Sequence, residues 1–79
     1  MTTIKVLGSG CASCKATVTL IEDMARAAGK SVTVQKVEDF QDIARYAVMS
    51  TPAVVIDETV VHAGGVPSRE KITGWLSAV

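Results

Sequence analysis

Near its start the chain changes period, and that change restricts the folds open to it. Thr3-Ile4-Lys5-Val6-Leu7 is β-branched and aliphatic, the composition of a buried strand, and Gly8-Ser9-Gly10 ends it. From Cys11 onward the apolar positions recur at helical spacing instead. Cys14, Val18, Ile21, Ala25 and Ala28 form one stripe, which Leu20 and Met24 widen. Gly29 suits the left-handed position that closes a helix. A strand that passes directly into a helix predicts a β-α unit, with the following strand parallel to the first.

The same alternation continues. Residues 31–37 (SVTVQKV) read as a second strand. Asp39 is suited to cap a helix whose Phe40, Ile43, Ala44 and Ala47 make an apolar face. Ser50-Thr51-Pro52 is expected to end that helix, because proline disfavours the helical conformation in the residue before it. Residues 53–56 (AVVI) and 59–63 (TVVHA) read as short strands joined at Asp57-Glu58. Asp-Glu is a poorer two-residue turn than Asp-Gly, so a bulge or a longer loop is open there. Gly64-Gly65 leads to Pro67-Ser68 and a last helix, with Ser68 as N-cap and Glu70 in the first turn. Ile72, Trp75, Leu76 and Val79 supply its apolar face. The expected order is β-α-β-α-β-β-α. This is an α/β fold, one domain over residues 1–79, with a mixed four-stranded sheet and helices on both faces.

Composition narrows the function. At 79 residues the chain is near the lower size at which one core suffices, and 48% hydrophobic residues argue for a packed domain. Aromatic residues are limited to Phe40, Tyr46 and Trp75, so aliphatic side chains must fill the core. Eight basic residues balance eight acidic ones without clustering, which argues against nucleic-acid and membrane-surface partners. The opening MTTIKVLGSG lacks a signal peptide's basic and apolar regions, and no apolar run reaches the ~18 residues of a membrane span. A cytoplasmic setting is expected. Structural disulfides are rare there, so two cysteines read as catalytic or metal-binding.

Those cysteines stand in Gly8-Ser9-Gly10-Cys11-Ala12-Ser13-Cys14-Lys15. Cys11 at a helix start meets unpaired backbone N–H groups and the positive end of the helix dipole, both of which favour a thiolate. Cys14, one turn further in, is expected on the face packed toward the sheet, better shielded and less ionised. Cys11 is thus the expected nucleophile and Cys14 the thiol that resolves a mixed disulfide. As a simple staple the pair would add little: closing so short a loop gives roughly 2 kcal/mol, against ~4.7 for a hundred-residue loop.

A soft-metal or metalloid carrier using both thiolates is the competing class, since thiolates select such ions. The tetrapeptide CASC also occurs in the copper-binding domains of heavy-metal ATPases. Those domains carry Met two residues before the first cysteine, where this chain has Ser9, and they end on a strand rather than on a helix bearing Trp75. Two cysteines with His62 as the only histidine fall short of the four ligands of structural zinc. No resident metal or cofactor is expected. A redox switch that binds a partner in one oxidation state is a third reading. His62 reads as a solvated residue on an edge strand and Trp75 as core. Gly8-Ser9-Gly10 lacks the Lys-Ser/Thr ending of a phosphate loop, and its glycines are expected to give a tight turn.

With TIKVL, Cys11-Ala12-Ser13-Cys14, the run from Val48 through Thr51-Pro52 to Ile56, and Gly64-Gly65-Val66-Pro67-Ser68, the chain resembles the thioredoxin superfamily. The match is to its compact, glutaredoxin-sized group of small redox-active disulfide proteins. The resemblance implies a thioredoxin-like fold, a redox-active Cys11–Cys14 disulfide and a cis Thr51–Pro52 bond placed against the cysteines. It further implies that Thr51 offers its backbone to a substrate strand while Pro52 borders the sulfur. The implied activity is that of a thiol-disulfide oxidoreductase acting as a monomer on protein or small-molecule disulfides. Electrons would come from a reductase or a low-molecular-weight thiol. Ala12-Ser13 matches neither the thioredoxin nor the glutaredoxin tetrapeptide, and the first strand carries Lys5 in place of any acid.

Overall fold

The computed structural model describes residues 2–8, 12–48 and 50–78. Its elements are β1 (Thr2–Leu7), α1 (Ala12–Ala27), β2 (Val32–Val37), α2 (Phe40–Arg45), β3 (Ala53–Ile56), β4 (Thr59–Ala63) and α3 (Arg69–Ala78). The sheet has four strands in the order β2-β1-β3-β4. β1 pairs in parallel with β2, from Thr2 opposite Val32 to Leu7 opposite Val37. It pairs antiparallel with β3, Ile4 facing Ile56 and Leu7 facing Ala53. The sequence-based order, strand directions and mixed sheet are those observed.

Strand alternation divides the core into two layers. Ile4 and Val6 of β1 and Val54 of β3 face Val18, Ile21 and Ala25 of α1 and Ile72 and Leu76 of α3, all buried. Leu7, Ala53 and Val55 point the other way and meet Ile43 of α2. Burying one such aliphatic side chain is worth roughly 1.5–3 kcal/mol, so the layer against α1 and α3 carries most of the stabilisation. Among the described residues no helix is long and apolar enough to cross a membrane.

The helix ends follow local chemistry. At the end of α1, Lys30 N–H donates to Ala25 C=O at 2.9 Å and Gly29 N–H to Arg26 C=O at 3.2 Å. With Gly29 at φ +68°, this is a Schellman closure. The Asp39 carboxylate accepts from Gln41 N–H at 2.7 Å and caps α2. Ser68 Oγ accepts from Lys71 N–H at 3.2 Å at the head of α3.

Two helix faces differ from expectation. Ala28 is exposed, and the inner stripe of α1 is completed by Thr17, which is fully buried. Its hydroxyl donates to Ser13 C=O at 2.8 Å, so a polar side chain meets its hydrogen-bonding need inside the helix. In α2, Ile43 alone is buried; Phe40 is 76% exposed, and Ala44 and Ala47 also face solvent. The reason is length. The helix stops at Arg45, and Ala47 stands at φ +56°, well before Pro52 is reached. Too few turns remain for an apolar stripe to form, and Tyr46 and Val48 pack from beyond the helix end instead.

The hairpin resolves the question left by Asp57-Glu58. Both residues have positive φ, 51° and 63°, so they form a two-residue turn of the type that matches strand twist. A register shift between Val54 and Val55 adds a bulge in the same hairpin. Glu58 is held there by the ammonium of Lys5, whose Nζ donates to Glu58 Oε1 at 2.7 Å and to Tyr46 Oη at 3.0 Å. Tyr46 O–H donates in turn to Glu58 Oε2 at 3.1 Å. The hydrogen bond to Glu58, then that to Tyr46, raises the Lys5 pKa well above the usual ammonium value. The hydrogen bonds from Lys5 and then Tyr46 lower that of Glu58.

Two outcomes are expected. Ala47→Gly relieves a left-handed alanine and is expected to raise stability by about 0.5–1 kcal/mol in urea unfolding, net of the greater freedom of the unfolded glycine chain. Because Glu58 has a lowered folded-state pKa, its stabilisation is present above the unfolded value of about 4.3 and is lost as pH falls through the folded value. Urea midpoints of Glu58→Gln and of the native chain are therefore expected to differ at pH 7 and to converge as the medium is acidified below about pH 4.

Candidate active site

Four chain segments meet at one end of the sheet. β1 and β2 finish there, β3 begins there and β4 returns to it, as the pairs Leu7–Val37, Leu7–Ala53 and Ala53–Ala63 require. Gly8 follows β1 into this end, is buried, and donates its N–H to Val37 C=O at 2.9 Å. α1 begins at Ala12 and carries Cys14 inward, 5% exposed. Cys14 is disulfide-bonded. Cys11, with Ser9 and Gly10, lies outside the described residues, and so do the expected thiolate at the helix start and the tight turn before it.

Gly8 joins the parts of the site. A Cβ on Gly8 would overlap Cys14 Sγ, stand 3.2 Å from Cys14 Cβ and sit 3.8 Å from Thr51 Cβ. The Cys14 sulfur and Thr51 therefore border the same point of bare backbone, although they are far apart in sequence. Gly8 has no positive φ. Close approach of sulfur to backbone is what excludes a side chain at Gly8.

The Thr51–Pro52 bond is cis. Thr51 is exposed and Pro52 is buried. Pro52 C=O accepts from Gly64 N–H at 3.0 Å, so the turn after β4 is fastened to the Thr51–Pro52 turn. Gly64 and Gly65 have φ +85° and +74°, and a Cβ on Gly64 would come within 3.3 Å of Ser50 Cβ. Gly64 thus needs both its conformation and its lack of a side chain.

Gly8 and Cys14 also border a cleft of about 40 Å³ with Val6, Lys15, Lys36 and Glu38. Val6, which lines the same cleft, is buried and apolar. Lys15 is exposed on α1, as a solvated lysine is expected to be.

His62 and Trp75 form a second cluster beside the Gly64–Gly65 turn. The His62 ring lies between Gly65 C=O, 3.0 Å from Nε2, and Lys71 Nζ, 3.0 Å from Nδ1. Trp75 meets it edge-on, with ring centroids 6.3 Å apart. His62 is half-buried and partnered, where a solvated strand residue was expected; its place on edge strand β4 was legible, its neighbours from α3 were not. Trp75 packs against the main core, as expected.

These features agree with comparison to known proteins. A family model described as a thioredoxin domain matches residues 2–77. A thioredoxin of Methanocaldococcus jannaschii is 33% identical over 78 residues, covering 99% of this chain and 90% of that protein. Among solved structures, the germline-specific thioredoxin Deadhead of Drosophila melanogaster superposes with a TM-score of 0.69 at 20% identity, over 99% of this chain and 80% of that one. Thioredoxin-2, a component of the malaria parasite protein secretion machinery, superposes with a TM-score of 0.69 at 16% identity, over 100% and 84%. The two structures share the fold, the archaeal relative and the family model share the sequence pattern, and the chain belongs to the thioredoxin family.

Proposed function

We propose that this protein is a thiol-disulfide oxidoreductase that exchanges a Cys11–Cys14 dithiol with disulfides of protein or small-molecule substrates. Thiol-disulfide redox chemistry is general to the thioredoxin family. The observation that carries the finer reading is the meeting of Cys14 Sγ and Thr51 at Gly8, beside the cis Thr51–Pro52 bond. A substrate strand lying along the exposed Thr51 backbone would bring its sulfur to the cysteine pair.

The reaction runs in two exchanges. The Cys11 thiolate attacks one sulfur of the substrate disulfide, forming a mixed disulfide and releasing the other sulfur as a thiolate. The Cys14 thiolate then attacks Cys11 Sγ, closing the intramolecular disulfide and releasing the second substrate thiolate. Two electrons pass to the substrate, and its two thiolates take up protons from solvent. Burial of Cys14 keeps its thiol from competing for substrate, which supports its role as the resolving group. A reductase or a low-molecular-weight thiol in a reducing, cytoplasmic setting would restore the dithiol, with the protein acting as a monomer.

Cys14→Ser is expected to accumulate a mixed disulfide through Cys11, visible as a mass increase that a thiol reductant reverses. Cys11→Ser is expected to abolish turnover. Full disulfide-reducing activity in Cys11→Ser would refute the assignment, and tight copper(I) binding without disulfide exchange in the native protein would favour the carrier instead. Gly8→Ala drives a methyl group into Cys14 Sγ. It is expected to cost the oxidised protein about 1–3 kcal/mol in urea unfolding, the usual range for overpacking. The reduced protein should lose less, because a free thiol can rotate away. The equilibrium with a glutathione buffer should accordingly move toward the dithiol.

A further inference from the structure

Two consecutive glycines make the turn after β4 the least self-restrained part of the site, so its position depends on outside ties. One is the Gly64 N–H bond to Pro52 C=O. The other comes from His62, which faces Val54 across the sheet beside the register shift of the hairpin. The ring's protonation pattern follows from its partners. The Lys71 ammonium has only donors, so Nδ1, 3.0 Å from Nζ, must present its lone pair. The imidazole proton then sits on Nε2, where it is donated to Gly65 C=O at 3.0 Å. Trp75 braces the ring edge-on. Both ring nitrogens are thus engaged by protein groups.

We propose that His62 is a positioning residue for disulfide exchange: through Gly65 C=O it fixes the Gly64–Gly65 turn, and through Gly64 the Thr51–Pro52 wall against which a polypeptide substrate lies. The inference rests on the oxidoreductase reading above. It adds that substrate recognition depends on a side chain of β4 whose tautomer is selected by Lys71 of α3. Val66, directly after the turn, is an apolar residue that is 43% exposed. A small disulfide, which reaches the cysteines without lying along the wall, should be indifferent to His62.

The test compares native protein, His62→Ala and His62→Gln in the reduction of insulin and of a bis(nitrobenzoate) disulfide. Gln places an N–H donor near the position of Nε2, whereas Ala places none. In His62→Ala the KM for insulin is expected to rise about fivefold to tenfold, the order of one lost hydrogen bond, with kcat and the small-disulfide rate within about twofold of native. His62→Gln is expected to recover most of the loss. Amide exchange at Gly64, read by NMR on oxidised protein, is expected to accelerate about tenfold in His62→Ala and to return toward native in His62→Gln. An unchanged insulin KM in His62→Ala, an unchanged Gly64 exchange rate, or equal impairment by Ala and Gln would each overturn the proposal. If the native protein reduces neither disulfide, the oxidoreductase reading fails instead, and Gly64 exchange still reports on the tie itself.

Discussion

The contact between the Cys14 sulfur and the bare backbone of Gly8 governs the arrangement of this molecule's functional end. A sulfur can lie that close to a strand only where the strand presents no side chain. Gly8 is held in place by its own N–H bond to β2, so the sulfur rests against a fixed surface. Thr51 borders the same point. One glycine thus brings the cysteine-bearing helix and the Thr51–Pro52 turn to a common position. The Pro52–Gly64 bond extends that alignment to β4, and the His62 tie extends it to α3.

Much of this was legible in the sequence, for physical reasons that can be named. Strands of Val and Ile and a long helix with a clear stripe carry strong periodicity, and the caps Asp39, Ser68 and Gly29 are local chemistry. These were read directly. The short α2 was overextended, because its end is set by Ala47 in a left-handed conformation that no residue type announces. Phe40 was assigned to the core on spacing alone, yet six residues of helix cannot turn a stripe inward. The steric exclusion at Gly8 was not legible, because it depends on Cys14, which reaches it through tertiary packing. His62 was read from its own strand, while its partners Lys71 and Trp75 arrive from another element.

The two sides of the sheet divide the work. The layer under α1 and α3 is apolar and holds the helix that bears Cys14. The layer under α2 is thinner and includes the charged group of Lys5, Tyr46 and Glu58. That group ties the central strand to the hairpin turn at the end of the sheet opposite Gly8. Glu58 sits there in a backbone conformation that a non-glycine residue adopts at some cost, and the ion pair offsets part of it. Its position away from Cys14 means that the titrations of Lys5 and Glu58 bear on stability and leave the sulfur chemistry to other groups.

Lys5 also bears on register, and register is what creates the site. Gly8 stands one residue beyond Leu7, and Pro52 one residue before Ala53; because Leu7 and Ala53 are paired, Gly8 and the Thr51–Pro52 turn must lie together. A slip of one residue would turn every β1 side chain to the opposite face. Lys5 would then point its ammonium among Val18, Ile21 and Ile72 with no carboxylate in reach, while Ile4 and Val6 would lose their burial. In the observed register the ammonium finds Glu58 and Tyr46 instead. A lone charge on an otherwise uncharged central strand thus penalises the competing alignments far more than it stabilises the native one. The alignment it protects is the one that carries a residue beyond position 50 to the side of a cysteine near position 10.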